Sequence, residues 1–186
     1  MRRRDFIASL LLAGFVAGCS TTSGHPEWLD AEANAPYRLA SGDRLRVIVF
    51  GQDSLSNSFS VDGAGNVAMP LIGAVRAQGS TTLQLAASLE ARLRDGYLRD
   101  PRVSVEVEAF RPFFALGEVG VAGQYPFING MTVANAVAVA GGFSPRAARS
   151  SVDVTRVVGG QSVTASVPLS FPLRPGDTIT VRERFF

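Results

Sequence analysis

The 186-residue sequence contains one cysteine, one histidine and no lysine, so that all 18 of its basic residues are arginine. A disulfide within the chain would need two cysteines, and a structural zinc site needs about four ligands close together. No Ser–His–Asp or Cys–His arrangement can be assembled around His25, which lies in a polar N-terminal stretch. The composition therefore predicts neither a metal nor a cofactor.

The sequence also has no net positive charge once the first 18 residues are set aside. The whole chain has 18 basic and 16 acidic residues and a pI near 9.2. Residues 1–18 contain three arginines and one aspartate, and without them the charges balance. Nucleic-acid binding needs a basic surface, so nucleic acid is not an expected partner. No later stretch provides the roughly 20 apolar residues of a membrane-spanning helix.

The only cysteine, Cys19, follows a segment with the pattern of a secretory signal. Arg2, Arg3 and Arg4 precede an apolar run over 6–17, and the small residues Val-Ala-Gly lead into Cys19. This ending resembles the lipobox of bacterial lipoproteins, in which the peptide is cut before the cysteine and the thiol is acylated. An ordinary signal with an incidental cysteine is the alternative. Both general secretion and the twin-arginine route remain open.

Residues 19–36 are typical of a flexible tether, and ordered structure is predicted from Tyr37. Alternating apolar residues predict strands over 45–49 and 103–107. A turn-rich cluster at 62–66 lies between two alternating stretches and predicts a hairpin over 59–69. Thr81 and Gln84 form a capping box at the start of an amphipathic helix that ends near Gly96. Leu85, Leu89 and Leu93 repeat at helical spacing and are predicted to face the sheet.

The second half of the chain repeats this succession of strands and a helix. Strands are predicted over 113–119, 124–128 and 173–181, and a hairpin over 152–167 turns at Gly159-Gly160. Thr132 caps a short helix over 133–140 that ends at Gly141-Gly142.

Two Gly-Asp pairs occupy equivalent positions ahead of apolar strands. Gly42-Asp43 and Gly176-Asp177 each follow a leucine by three residues and precede alternating apolar residues. Glycine permits a positive φ, and aspartate can accept hydrogen bonds from backbone amides where a strand begins. A structural turn therefore accounts for both pairs, and no chemistry is assigned to them.

Four ordered stretches together resemble the bacterial polysaccharide export family, whose members are outer-membrane lipoproteins. They are 37–49 with Gly42-Asp43, 61–73 with Gly63, Pro70 and Gly73, 117–125 with Gly117 and Gly123, and 132–142 with Gly141 and Gly142. Each stretch alone is weak evidence for the family, but the ordered set of four behind a lipobox is a specific signal.

The resemblance implies an α+β protein with two domains behind the signal peptide (1–18) and the tether (19–36). Residues 37–110 would form an export domain, a small mixed sheet with one amphipathic helix. Residues 111–186 would form a single soluble ligand-binding β-grasp domain.

The same resemblance implies a function and a set of partners. The expected protein is anchored to the outer membrane by Cys19, faces the periplasm and exports capsular polysaccharide or exopolysaccharide. It would form a homo-oligomeric ring, often of eight subunits, that meets an inner-membrane copolymerase. The sequence lacks the amphipathic C-terminal helix of larger members, and a separate outer-membrane barrel is then a further expected partner.

Two alternatives belong to other functional classes. One is a ligand-sensing or cell-wall-polysaccharide-binding lipoprotein that uses the β-grasp domain alone. The other is a polysaccharide hydrolase, because Glu106 and Glu108 fall on one face of a strand, about 6.5–7 Å apart by strand rise. This is within reach of the carboxylate separation in inverting glycosidases. A solvated strand face explains the pair better, and we expect no enzymatic activity.

Overall fold

The computed structural model describes residues 35–184 and has the predicted α+β architecture. The signal segment, Cys19 and all of the tether except its last two residues lie outside the described residues. The elements in chain order are β1 Arg44–Val49, β2 Asn57–Ser60, β3 Asn66–Met69, β4 Gly73–Arg76, α1 Thr82–Arg94, β5 Val103–Ala109, β6 Phe113–Gly117, β7 Gly123–Tyr125, α2 Val133–Val139, β8 Val152–Val158, β9 Gln161–Val167 and β10 Thr178–Val181.

The N-terminal core is the cluster of buried apolar side chains between Leu39 and Val105. Its main sheet has the antiparallel order β2-β1-β5, and β3 pairs with β4 in a separate hairpin. Every second residue of β1, from Leu45 to Val49, is buried, while the residues between them are exposed. The alternation predicted from the sequence therefore positions one face of this sheet against the core.

Helix α1 covers this core with the leucines predicted to face inward. Leu85, Leu89 and Leu93 are fully buried, and the helix packs against β5. The capping box is confirmed: the Gln84 amide N–H donates to Thr81 Oγ1, and the Thr81 amide N–H donates to Gln84 Oε1. Such a cap fixes the first turn by local hydrogen bonds alone.

The hairpin predicted over 59–69 is wrong in its pairing. The 62–66 turn does form, since the Gly65 amide N–H donates to the Asp62 carbonyl oxygen. However, β2 before this turn pairs with β1, and β3 after it pairs with β4. The hairpin turn lies instead at 70–73, where Leu71 and Gly73 both have positive φ. A turn signal gives a change of direction, but tertiary contacts decide which strands pair.

The C-terminal core lies between a five-stranded sheet and α2. The sheet order is β7-β6-β10-β8-β9, with β10 parallel to β6 and antiparallel to β8. Its buried apolar side chains run from Phe113 to Val181. The hairpin β8–β9 turns at Gly159-Gly160 as predicted, and both glycines have the positive φ of a type I′ turn.

The strands around α2 are shorter than the apolar pattern predicts. β6 ends at Gly117, where a Cβ atom would overlap the backbone carbonyl of Val181. Further on, the Gly120 backbone contacts the Gly141 backbone, and the Gly120 amide N–H donates to the Gly142 carbonyl oxygen at 2.8 Å. Close backbone approach therefore replaces strand pairing in this part of the chain.

The two cores share no residue, and the chain passes from one to the other between β5 and β6. Within residues 35–184, neither α1 nor α2 combines the length and apolar character needed to cross a membrane.

Helix α1 provides a matched test of the N-terminal core. Leu89→Ala should lower the free energy of unfolding by about 2–5 kcal/mol, because this side chain is fully buried. Leu83→Ala should change it by less than about 0.5 kcal/mol, because Leu83 on the same helix is 80% exposed. Denaturant unfolding followed by circular dichroism measures both. Equal losses would contradict the assigned burial of α1.

Candidate functional site

The junction between the two cores is built around the two Gly-Asp turns. Gly42 and Gly176 have φ values of 93° and 85° and precede the buried carboxylates of Asp43 and Asp177. Each carboxylate accepts a backbone N–H from three residues earlier, Ala40 N to Asp43 Oδ2 and Arg174 N to Asp177 Oδ2, both at 2.8 Å. The chain thus uses the same turn at the start of β1 and of β10.

Each of these aspartates also binds an arginine, which sequence analysis missed. Arg156 Nε and Nη2 donate to the two carboxylate oxygens of Asp177 at 2.9 and 2.7 Å, and this pair is buried. Removing one partner of a buried pair costs on the order of 3–5 kcal/mol. One signal was available, because Arg156 continues the row of Val152 and Val154 that faces the core. An arginine in such a row needs a buried acid.

Asp43 is bound by the residue that links the two cores. The Arg111 backbone N–H donates to Asp43 Oδ1 at 3.0 Å, and Arg111 Nη1 lies 3.6 Å from Asp43 Oδ2. Asp43 belongs to the turn before β1, whereas Arg111 lies between β5 and β6. The carboxylate therefore ties the start of the N-terminal sheet to the connection between the cores.

Tyr37 completes this arrangement. Its hydroxyl donates to Asp43 Oδ2 at 2.5 Å and accepts from Arg111 Nη1 at 3.0 Å. Burial raises the pKa of Tyr37 well above its ordinary value, and the hydrogen bond to Asp43 raises it further. The phenol is therefore a neutral donor throughout the physiological range. Its ring contacts Phe110 edge-on at 5.0 Å, and Phe110 contacts Phe127 in the same way at 5.5 Å.

The side chain of Arg111 lies against both glycine turns. A Cβ atom on Gly42 would be 3.5 Å from Arg111 Cβ, and one on Gly176 would be 2.6 Å from Arg111 Nε. The Gly176 amide N–H also donates to the Pro112 carbonyl oxygen at 3.0 Å. The second Gly-Asp turn is thereby packed onto the same arginine that binds the first.

Two cavities flank this junction and share Arg174 and Pro175 as part of their walls. The smaller, of about 130 Å³, is also lined by Arg111, Arg156 and Asp177. The larger, of about 270 Å³, is also lined by Tyr37, Phe110 and Phe127 and by the amide of Asn129. The junction therefore combines concave surface with three arginines.

The other motif residues lie in turns or at strand ends and line neither cavity. Gly63 belongs to the 62–65 turn, and Pro70 and Gly73 belong to the β3–β4 turn. Gly117 ends β6, and Gly123 begins β7. Gly141 and Gly142 follow α2, both with positive φ.

The carboxylates considered for hydrolysis are on the outer face of β5. Glu106 and Glu108 are exposed, and Glu108 forms an ion pair with Arg44 on β1 at 3.1 Å. Neither residue lines a cavity described above. In the described part of the chain, no three His, Cys, Asp or Glu residues are grouped so as to hold a metal ion.

Comparisons with known proteins match both parts of the chain. A family model described as polysaccharide biosynthesis/export protein matches residues 31–108, and an SLBB domain model matches residues 113–165. The four residues between the two matches include Phe110 and Arg111 of the junction.

Several curated proteins are similar in sequence. Exopolysaccharide production protein ExoF of Rhizobium meliloti (strain 1021) is 33% identical over 118 residues, which are 57% of this chain and 28% of that protein. Polysialic acid transport protein KpsD of Escherichia coli is 28% identical over 163 residues, 81% of this chain and 29% of that protein. EPS I polysaccharide export outer membrane protein EpsA of Ralstonia nicotianae (strain ATCC BAA-1114 / GMI1000) is 25% identical over 185 residues, 80% of this chain and 48% of that protein.

The chain thus spans between about a quarter and a half of the length of these relatives. The two model matches follow each other in order and account for most of residues 31–165. By these matches residues 31–108 belong to the polysaccharide biosynthesis/export family, and an SLBB domain match follows them.

Proposed function

We propose that this protein exports capsular polysaccharide or exopolysaccharide as a homo-oligomeric ring, anchored by lipid to the periplasmic face of the outer membrane. An inner-membrane copolymerase delivers the polymer to the ring, and a separate outer-membrane barrel provides the exit. The observation that carries the proposal is the ordered pair of units joined at Arg111. The boundary between them, at 110/111, and the β-grasp assignment of the second unit belong to the same proposal.

The names of the relatives support export as the activity. One is named for transport of polysialic acid, another for export of a polysaccharide at the outer membrane, and a third for exopolysaccharide production. This chain aligns with both relatives named for transport or export over about four fifths of its length. We therefore assign it the same class of cargo, a polysaccharide.

The junction supports a ring because a closed ring requires a fixed subunit shape. Identical subunits in head-to-tail contact form a closed ring only if each contact repeats the same rotation. A flexible link between two units would spread that rotation over many values. Tyr37, Asp43 and Arg111 bind one another across the link, and Gly176 packs against it. These contacts favour one angle between the units.

Sheet edges provide surfaces for contacts between subunits. β7 and β9 are the two edges of the five-stranded sheet, and β2 is an edge of the N-terminal sheet. Edge strands have unpaired backbone groups that can bind another chain. We propose that such edges take part in the subunit interface.

The proposed anchor connects to the body next to this junction. Arg174 Nη2 donates to the carbonyl oxygen of Ala35, the first described residue, at 2.6 Å. The chain that leads to Cys19 therefore enters the body beside Arg174 and the aromatic cavity. A force on the anchor would therefore act directly on the contacts of the junction.

Ring formation is tested on the lipidated full-length protein. Native mass spectrometry and electron microscopy should show closed rings, with the protein alone or with its copolymerase. A strict monomer at high concentration in both conditions would overturn the ring.

A pair of glycine variants tests the role of the junction in that ring. Gly176→Ala should reduce the ring fraction several-fold, because the new Cβ displaces Arg111. Gly96→Ala is the control, since Gly96 has a similar φ of 91° but open space around its Cβ position. Both variants carry backbone strain of about 1–3 kcal/mol, so only the displacement of Arg111 differs. Equal ring fractions would refute a role for the junction.

The anchor is tested by Cys19→Ser. One acyl chain binds a membrane only marginally, whereas several chains bind almost permanently, at about 0.8 kcal/mol per buried methylene. The variant should keep its folded body, leave the outer-membrane fraction and lower the amount of surface polysaccharide. Unchanged fractionation would show that the cysteine is incidental.

The hydrolase alternative is tested by the double variant Glu106→Gln with Glu108→Gln. Secreted polysaccharide should keep its amount and length, because both carboxylates lie on an exposed strand face and Glu108 already pairs with Arg44. A marked increase in polymer length with normal folding would identify a trimming hydrolase. Assay of the purified protein for release of reducing ends provides an independent check.

A further inference from the structure

An apolar groove lies on the surface of the C-terminal unit, between the 128–131 turn and α2. It has a volume of about 370 Å³, and four of its seven described lining residues are apolar, namely Ile128, Met131, Ala138 and Val139. None of these seven residues carries a charge. Ile128 is 65% exposed and Val139 is 48% exposed, so much of the apolar surface is open to water. Covering it is favourable in proportion to the apolar area removed from water.

This groove adjoins the place where the described chain begins. The Ala35 carbonyl oxygen accepts a hydrogen bond from Arg174 Nη2, and Ala35 lines the larger cavity of the junction together with Asn129. Asn129 also lines the groove. The chain that leads from Ala35 toward the N-terminus therefore starts close to this apolar surface.

The segment before Ala35 contains one large aromatic side chain. Among residues 20–34 the only large apolar residues are Trp28 and Leu29, and Trp28 is the only tryptophan of the chain. Trp28 precedes Ala35 by seven positions, and seven extended residues reach up to about 23 Å. This reach is well beyond the width of the larger cavity, whose volume is about 270 Å³.

We propose that Trp28 docks in the groove and holds the tether against the C-terminal unit of the same chain. An indole ring is large and mostly apolar, so it can cover both Ile128 and Val139, and Asn129 supplies an amide oxygen that can accept from the indole N–H. The occupant is the tether rather than a separate molecule, because a segment joined by a short link is present at an effective concentration of the order of millimolar.

Docking would determine how far the body can stand from the membrane, a consequence that rests on the proposed anchor at Cys19. A free tether over 19–34 has 16 residues, whereas docking of Trp28 leaves the nine residues 19–27 between the anchor and the body. The maximum reach falls from about 53 Å to about 30 Å. Docking itself depends on neither the acyl chains nor export.

Fluorescence of the single tryptophan tests this assignment in the lipidated full-length protein. Emission should lie at a shorter wavelength than in the unfolded protein, and the indole should be shielded from acrylamide. Ile128→Ser should weaken docking by about tenfold, the effect of losing most of one aliphatic contact. Emission should then move to longer wavelength, and quenching by acrylamide should increase.

Val157→Ser is the matched control. Val157 is 66% exposed, lies on β8 and is not among the described residues that line the groove. This variant should keep the emission and the quenching of the original protein. Thermal unfolding verifies that both serine variants are folded.

Hydrogen–deuterium exchange provides a measurement that leaves the groove unchanged. Trp28→Ala should increase exchange over residues 128–131, since docking covers this turn, and should leave exchange in β9 as it was. This comparison remains decisive if Ile128→Ser does not fold. Equal exchange over 128–131 with and without the indole would contradict docking.

Three fluorescence outcomes would overturn the proposal. Emission could be insensitive to Ile128→Ser. Emission at short wavelength could occur in the lipidated protein but not in Cys19→Ser, which would place Trp28 at the detergent surface. Emission could also shift on dilution together with the oligomeric state, which would assign the groove to Trp28 of a neighbouring copy.

The anchor is scored separately from docking. Docking that persists in Cys19→Ser supports the proposal, because it needs no acyl chain. Unchanged membrane fractionation of Cys19→Ser would reject the anchor and retain docking.

Discussion

The architecture depends on the contact between Asp43 and Arg111. The carboxylate is fully buried and receives hydrogen bonds from Ala40, Tyr37 and the Arg111 backbone, so it holds the 37–43 segment to the link between the cores. An ionised group at this depth is tolerated only with such partners. Because those partners belong to the N-terminal turn and to the link between the cores, the same requirement that keeps the carboxylate satisfied also fixes how the two units meet.

A second buried carboxylate repeats this arrangement in the C-terminal unit. Asp177 accepts hydrogen bonds from one backbone N–H and from the guanidinium of Arg156. Asp43 accepts hydrogen bonds from a backbone N–H of its own turn, from the Arg111 backbone N–H and from the Tyr37 hydroxyl. Arg111 packs between the two turns, and the cavities lie beside it. The contacts that join the two units and the two cavities are therefore neighbours.

Local signals in the sequence predicted local structure well. The capping box of α1, the inward leucines and the Gly159-Gly160 hairpin depend on residues within a few positions of one another, and all three are confirmed. The predicted pairing of the strands on either side of the 62–66 turn was wrong, because a turn in the sequence does not specify which strands pair with each other. The junction was missed for a similar reason: Asp43 and Arg111 are 68 positions apart, so no short window contains both. The family resemblance supplied the order of the units but not these contacts.

The position of β10 has a consequence for how the protein is made. This strand is the last of the described strands in the chain, yet it lies between β6 and β8 in the middle of the sheet. Neither β6 nor β8 has its inner neighbour until residues 178–181 are available. A chain synthesised from its N-terminus would therefore keep the C-terminal core open until these residues had been added. Sheets closed by such distant segments fold slowly, so the C-terminal unit should acquire its core later than the N-terminal unit, whose residues precede it in the chain.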